Sequence, residues 1–151
     1  MKNKATLSFI AVLASLACSL ILVQAIYAAQ VDAIRDGLMT ARKNLVAMID
    51  TSGQAAQDKL YAEVTTASQT VDDALRTALA DKATTEDQAA KLKQFQEIWE
   101  AFKKTRETEI VPAIRAGNKD TARSIAKGVQ AERMTKMKTL LGEMGSDMSG
   151  K

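Results

Sequence analysis

The sequence has 151 residues, a formal net charge of +3, no histidine and a single cysteine. That length suits one domain around one core, and the lack of histidine removes His-based catalytic triads, histidine metal sites, the Glu-x-x-His di-iron pattern and Cys-x-x-Cys-His haem attachment. Lys2 and Lys4 carry two of the positive charges, the remainder is nearly neutral, and no basic block is interleaved with aromatics, so nucleic acid is not an expected partner.

The basic start "MKNK" is followed by 24 uncharged residues, 6–29, "TLSFIAVLASLACSLILVQAIYAA". A cleavable signal peptide has an apolar region of about 7–15 residues and a spanning helix needs about 20. Residues 1–29 therefore read as a signal anchor holding the chain at the inner membrane, with one alternative, a signal peptide cleaved after Ala28 or Ala29. In either case the lysines stay in the cytoplasm and everything from Gln30 onward is exported, to a single-pass position facing the periplasm or cell exterior, or free in the periplasm. Cys18 lies inside the apolar run and reads as a small membrane residue. It cannot form an intrachain disulfide, and the Leu that a lipoprotein signal would place three positions earlier is Ser15.

Beyond residue 30 the apolar residues recur at helical spacing. Val31, Ile34, Leu38, Ala41, Leu45 and Met48 form one stripe; after "DTSG" at 50–53 a second follows at Leu60, Val64, Ala67, Val71, Ala74 and Ala78. A reversal near Ser52 pairs residues whose numbers sum to 105, which matches Leu45 with Leu60, Ala41 with Val64, Leu38 with Ala67, Ile34 with Val71 and Val31 with Ala74. Short loops join antiparallel neighbours, so this predicts a helical hairpin. "DKATTED" at 81–87 is the next break, with Thr84 or Thr85 as N-cap and Asp87 or Gln88 completing a capping box. The third helix runs to Ala116, carries Leu92, Phe95, Ile98, Trp99 and Phe102 as a bulky core layer, and should kink slightly at Pro112. Gly117 then offers the left-handed C′ position and Asn118 an N-cap, so the chain reverses again. A pivot summing to 235 pairs Ala113 with Ala122, Ile110 with Ile125, Ile98 with Met137 and Phe95 with Leu140. Two hairpins with one apolar side each give an all-α, antiparallel up-down-up-down four-helix bundle over residues 30–145, with residues 146–151 as a frayed tail.

The run "FQEIWEAFKKTRETEIVPAIRAGNKDTARSIAKGVQAERMTKMKTLLGEM" resembles the second half of the four-helix-bundle sensory module of bacterial methyl-accepting chemotaxis receptors. In that family an aromatic-bearing helix ends in a basic residue and "AG", then a polar residue or two, then an Ala-rich helix, the order of "IRAGNKDTARSIAKG". The resemblance covers residues 6–145 and implies an extracytoplasmic ligand-binding module acting in signal transduction as a parallel homodimer. It departs from the family in one respect. A complete receptor continues into a second membrane helix, a HAMP linker and a cytoplasmic coiled coil, and the sequence given carries none of these after its fourth helix, so the expectation is a module that works with a receptor partner or a truncated receptor.

No phosphate-binding Gly-rich loop or nucleophile elbow is present, and carboxylates such as Glu107 and Glu109 sit among basic residues as a solvated helix face, so the chain reads as a non-enzyme without cofactor or metal. The candidate ligand contacts are three arginines. Arg35 and Arg42 each follow a core position of the first helix, seven residues and about 10 Å apart at 1.5 Å per residue, an arrangement that fits a small anionic ligand such as a carboxylate. The alternative reading of this pair is solvated surface charge, with Arg35 held by Asp32 or Asp36. Arg106 continues the third core stripe and faces Val129 next to Gly128; Glu109 and Glu132 are its nearest expected partners, unless its stem packs and its head reaches water. A periplasmic structural or chaperone-like helical protein is the competing functional reading.

Overall fold

The computed structural model describes the backbone of residues 4–148 and the side chains of residues 24–148. The described residues form helices α1 (Lys4–Asp50), α2 (Gln54–Ala80) and α3 (Glu86–Thr105), a π turn (Arg106–Ile110), then α4 (Val111–Arg115), α5 (Lys119–Lys127) and α6 (Val129–Glu143), with no strand among them. In space these are four limbs: α1, α2, the α3–π–α4 unit and the α5–α6 unit. The apolar segment expected to meet the membrane, 6–29, lies mostly outside the residues whose side chains are described; among the described residues no helix is long and apolar enough to cross a membrane.

The first hairpin follows its predicted pivot. All six stripe residues of α1 are buried, as are Val64, Ala67, Val71, Ala74 and Ala78 of α2, whereas Leu60, at the turn end, is only half-buried. Gly37 sets the spacing of the pair, because a Cβ there would stand 2.8 Å from Val71 Cγ2 and 2.9 Å from the Ala67 carbonyl oxygen. The turn is closed by Gly53, at φ 89°, and by Gln57, whose amide donates to the Thr51 carbonyl at 3.1 Å.

The second hairpin begins on the predicted capping box: the Gln88 N–H donates to Thr85 Oγ1 at 3.2 Å and the Thr85 N–H to Gln88 Oε1 at 2.9 Å. Leu92, Phe95, Trp99 and Phe102 are buried, and the Trp99 and Phe102 rings stack at 5.6 Å. Pro112 acts differently from the slight kink expected of it. The limb widens just before it into the π turn, where the Val111 N–H reaches back to the Arg106 carbonyl. Pro112 has no N–H to give to Thr108 and its ring crowds that carbonyl, so an extra residue in the preceding turn relieves both problems. Gly117, at φ 78°, ends the limb in a Schellman motif, with the Gly117 N–H on the Ile114 carbonyl and the Asn118 N–H on that of Ala113. Asn118 occupies the N-cap position, but its side chain makes no capping bond.

The returning limb is broken at Gly128, which separates α5 from α6. The 235 register holds through the break: Gln130 Nε2 donates to the Phe102 carbonyl at 2.9 Å and Arg133 Nη1 to Thr105 Oγ1 at 2.8 Å. Gly128 therefore stands beside the π turn, and both limbs are irregular at one level. The tail differs from its expected fraying as far as it is described. Gly145, at φ 93°, forms a second Schellman motif, Met144 and Ser146 are buried, and Met148 packs on the core. Residues 149–151 lie outside the described residues.

Candidate functional site

The fourth limb runs antiparallel beside α1 and is fastened to it at two levels. Near the α1–α2 turn, Arg123 Nη2 meets Asp50 Oδ1 at 2.7 Å and Lys119 Nζ donates to the Asp50 carbonyl at 3.2 Å. At the other end Arg35 Nη1 donates to Ser146 Oγ at 3.2 Å, and that hydroxyl donates to Asp32 Oδ1 at 3.1 Å. Arg35 also binds Asp32 Oδ1 and Asp36 Oδ1, each at 2.9 Å, and the bond to Asp36 is the main reason its pKa is held above the ordinary value. Its guanidinium thus fastens α1 to the tail.

Between these fastenings lies a cleft of about 380 Å³, lined by Arg42, Val46, Ile49 and Asp50 of α1, Arg123, Ala126 and Lys127 of α5, and Ala131 of α6. Three cations surround one carboxylate, over a wall of four apolar side chains. Arg123 is committed to Asp50 and, at 3.1 Å, to Asp120, and the Asp50 hydrogen bond leads in holding its pKa above the ordinary value. Arg42 and Lys127 are exposed and have no hydrogen-bonding or ion-pair partner among the described residues. A guanidinium presents two parallel N–H donors to a carboxylate, and an ammonium adds a point charge. The cleft therefore has the chemistry to hold an anion whose apolar part lies on Val46 and Ile49.

The structure separates the three arginines offered by the sequence. Arg35 and Arg42 face different surroundings, and Arg106 is 5% exposed inside the bundle. Its expected partners were Glu109 and Glu132. Instead Nε binds Glu107 Oε1 at 2.7 Å and Nη1 binds Ser68 Oγ of α2 at 2.7 Å. Glu107 stands on the α2 side, where Tyr61 donates its hydroxyl to Glu107 Oε2 at 2.6 Å. That bond and then burial hold the Tyr61 phenol above its ordinary pKa. Arg106 is thus the centre of a cross-link between limbs and is closed to ligand. Arg123 and Lys127 were not singled out from the sequence; the available signal was their i, i+4 spacing after the Asn118 restart, but their approach to Arg42 depends on a lateral contact that no short loop specifies.

At the opposite end, the Tyr27 hydroxyl is buried without a partner near a cavity of about 120 Å³ under the α2–α3 loop, with room for water. Burial, and secondarily the Asp87 charge, hold its pKa above the ordinary value. Among the described residues no group of three or more acidic or cysteine side chains is placed to hold a metal ion.

Two helical hairpins packed through one core define an all-α four-helix bundle. The chain belongs to the family described as the four helix bundle sensory module for signal transduction, which matches residues 9–146. This is the module to which the chemoreceptor resemblance pointed. No curated protein and no solved structure matches the chain.

Proposed function

We propose that the chain is an extracytoplasmic sensory module, held at the inner membrane by residues 6–29, that binds a small anion with an apolar part in the cleft between α1 and α5–α6 and passes the resulting change in helix packing to a receptor partner. The observation that carries this reading is the pair of unpartnered cations, Arg42 and Lys127, set over an apolar wall. A ligand that engages both bridges α1 and α5 across the cleft, adding to the shared apolar core and the polar contacts that already join the two limbs. Membership of a signal-transduction family supports the sensory part.

The test is titration of the full chain with acetate, butyrate and hexanoate, followed by calorimetry and thermal unfolding. Binding should strengthen with chain length, since each buried methylene adds about 0.8 kcal/mol, and the Arg42→Gln, Lys127→Gln double variant should lose it. Equal binding by that variant, or no binding of any carboxylate, overturns the site. Suppression of client-protein aggregation without anion binding would favour the chaperone-like reading instead.

A further inference from the structure

The cleft between α1 and α5–α6 is chemically uneven along its length. On α1, Arg42, Val46 and Asp50 repeat at steps of four along one face and span about 12 Å at 1.5 Å per residue. The last limb runs the other way and its Arg123 meets Asp50 at 2.7 Å, so Lys127, one turn further along α5, comes level with Val46. Both unpartnered cations, Arg42 and Lys127, therefore lie toward one end of the cleft. The charges at the Asp50 end are already engaged.

At that end Arg123 gives Nη2 to Asp50 Oδ1 at 2.7 Å and Nη1 to Asp120 Oδ1 at 3.1 Å. Neither terminal nitrogen is without an acceptor, and one guanidinium facing two carboxylates leaves a net negative charge. Lys119 Nζ donates to the Asp50 carbonyl at 3.2 Å and to Ser52 Oγ at 3.3 Å, bonds that hold the end of α1 without engaging the Asp50 carboxylate. A carboxylate seated between Arg42 and Lys127 lays its chain along Val46 and Ile49, and the far end of that chain comes to Asp50. A neutral end meets no opposing charge there. A second carboxylate meets Asp50 and finds Arg123 committed, so it must displace Asp50 from the guanidinium or lie beside it unpaired.

We propose that Asp50 is the specificity-determining residue of this cleft: it occupies Arg123 in place of a second ligand carboxylate, and so selects monoanions with an apolar or neutral tail over dianions. The inference rests on the anion-binding reading of the cleft. The Asp50 side chain is 66% exposed and that of Arg123 40%, so water and salt weaken the effect to that of an exposed charge contact, about fivefold in affinity.

The experiment is calorimetric titration of the full chain in detergent, at neutral pH and low salt, with monomethyl adipate and adipate, which share a carbon chain and differ in the charge at one end. The ester should bind about fivefold more tightly, and the gap should shrink in about 1 M salt, where charges are screened beyond about 3 Å. Asp50→Asn removes the carboxylate and releases Arg123, so adipate should gain affinity and the gap should close. Arg123→Gln leaves Asp50 charged and uncompensated, so the gap should widen. If the Asp50–Arg123 contact only braced the cleft, both variants would weaken both ligands alike. Each variant carries its own expected sign, so the misfolding of one, read from helical content, leaves the other decisive. Failure of hexanoate and the ester to bind removes the cleft reading and this inference with it. Hexanoate binding accompanied by equal affinity for ester and diacid, or by a gap that Asp50→Asn leaves in place, overturns the inference alone.

Discussion

In the first hairpin α1 and α2 run past each other without a break and meet through alanine, valine and a glycine, so close that the Gly37 backbone rests on Val71. In the second hairpin both limbs change helical form at one level, at the π turn and at Gly128, and what crosses between neighbours there is polar: Arg106 to Ser68, Gln130 to the Phe102 carbonyl, Arg133 to Thr105. Close apolar contact tolerates no added volume, whereas a polar cross-link tolerates replacement if its members keep other partners. The two halves of one bundle should therefore respond oppositely to similar changes.

The largest effect is expected at the base of the second hairpin's core. Trp99→Ala removes a fully buried ring, its stacking on Phe102 and its N–H bond to Asp72 at 2.7 Å, and should cost about 3–5 kcal/mol in denaturant unfolding. Next comes a pair of matched substitutions. Gly37→Ala forces a methyl against Val71 and the Ala67 carbonyl and should cost about 1–3 kcal/mol. Gly142→Ala, in α6 with nothing within 4 Å of the added carbon, should instead stabilise by about 0.4–1 kcal/mol. A loss of stability in both would end the contrast between the hairpins.

A smaller effect is expected at the buried arginine. In Arg106→Met, Ser68 keeps its 2.7 Å bond to the Val64 carbonyl and Glu107 keeps Tyr61, so the change should be no more than about 1 kcal/mol. A much larger loss would show that the cross-link, and not the surrounding packing, holds the second hairpin to α2. The smallest is a pH effect. Burial opposes the charge on Lys103, but its bonds to Asp72 and Glu100 outweigh that and hold its pKa above the ordinary 10.5. A raised folded-state pKa gives stability that is complete below 10.5 and lost as pH climbs through the folded value. Stability measured from pH 9 to 12 should thus fall less steeply in Lys103→Met than in the unmodified chain.

The parts of the fold readable from sequence were those that short loops specify. One reversal at Ser52 predicted five facing pairs, and the Thr85–Gln88 box and the Gly117 turn carry local chemistry visible in a few letters. The π turn was less legible because Pro112 announces a disturbance without saying how the backbone absorbs it. The cleft was half legible: Arg42 could be placed on an α1 flank, but Arg123 and Lys127 reach it only through the lateral register of the first limb against the last, which no direct loop sets.

The clasp of Arg35 and Asp32 on Ser146 acquires a mechanical meaning beside the Arg123–Asp50 contact at the far end of the same pair of limbs. A beam pinned at both ends resists axial shear: sliding the last limb along α1 by one helical turn, about 5.4 Å, would have to release both pins at once. Bowing outward between them releases neither, and the midspan already contains the Gly128 break and the open cleft. The soft deformation of this limb is therefore lateral flexure, directed away from the apolar wall of Val46 and Ile49.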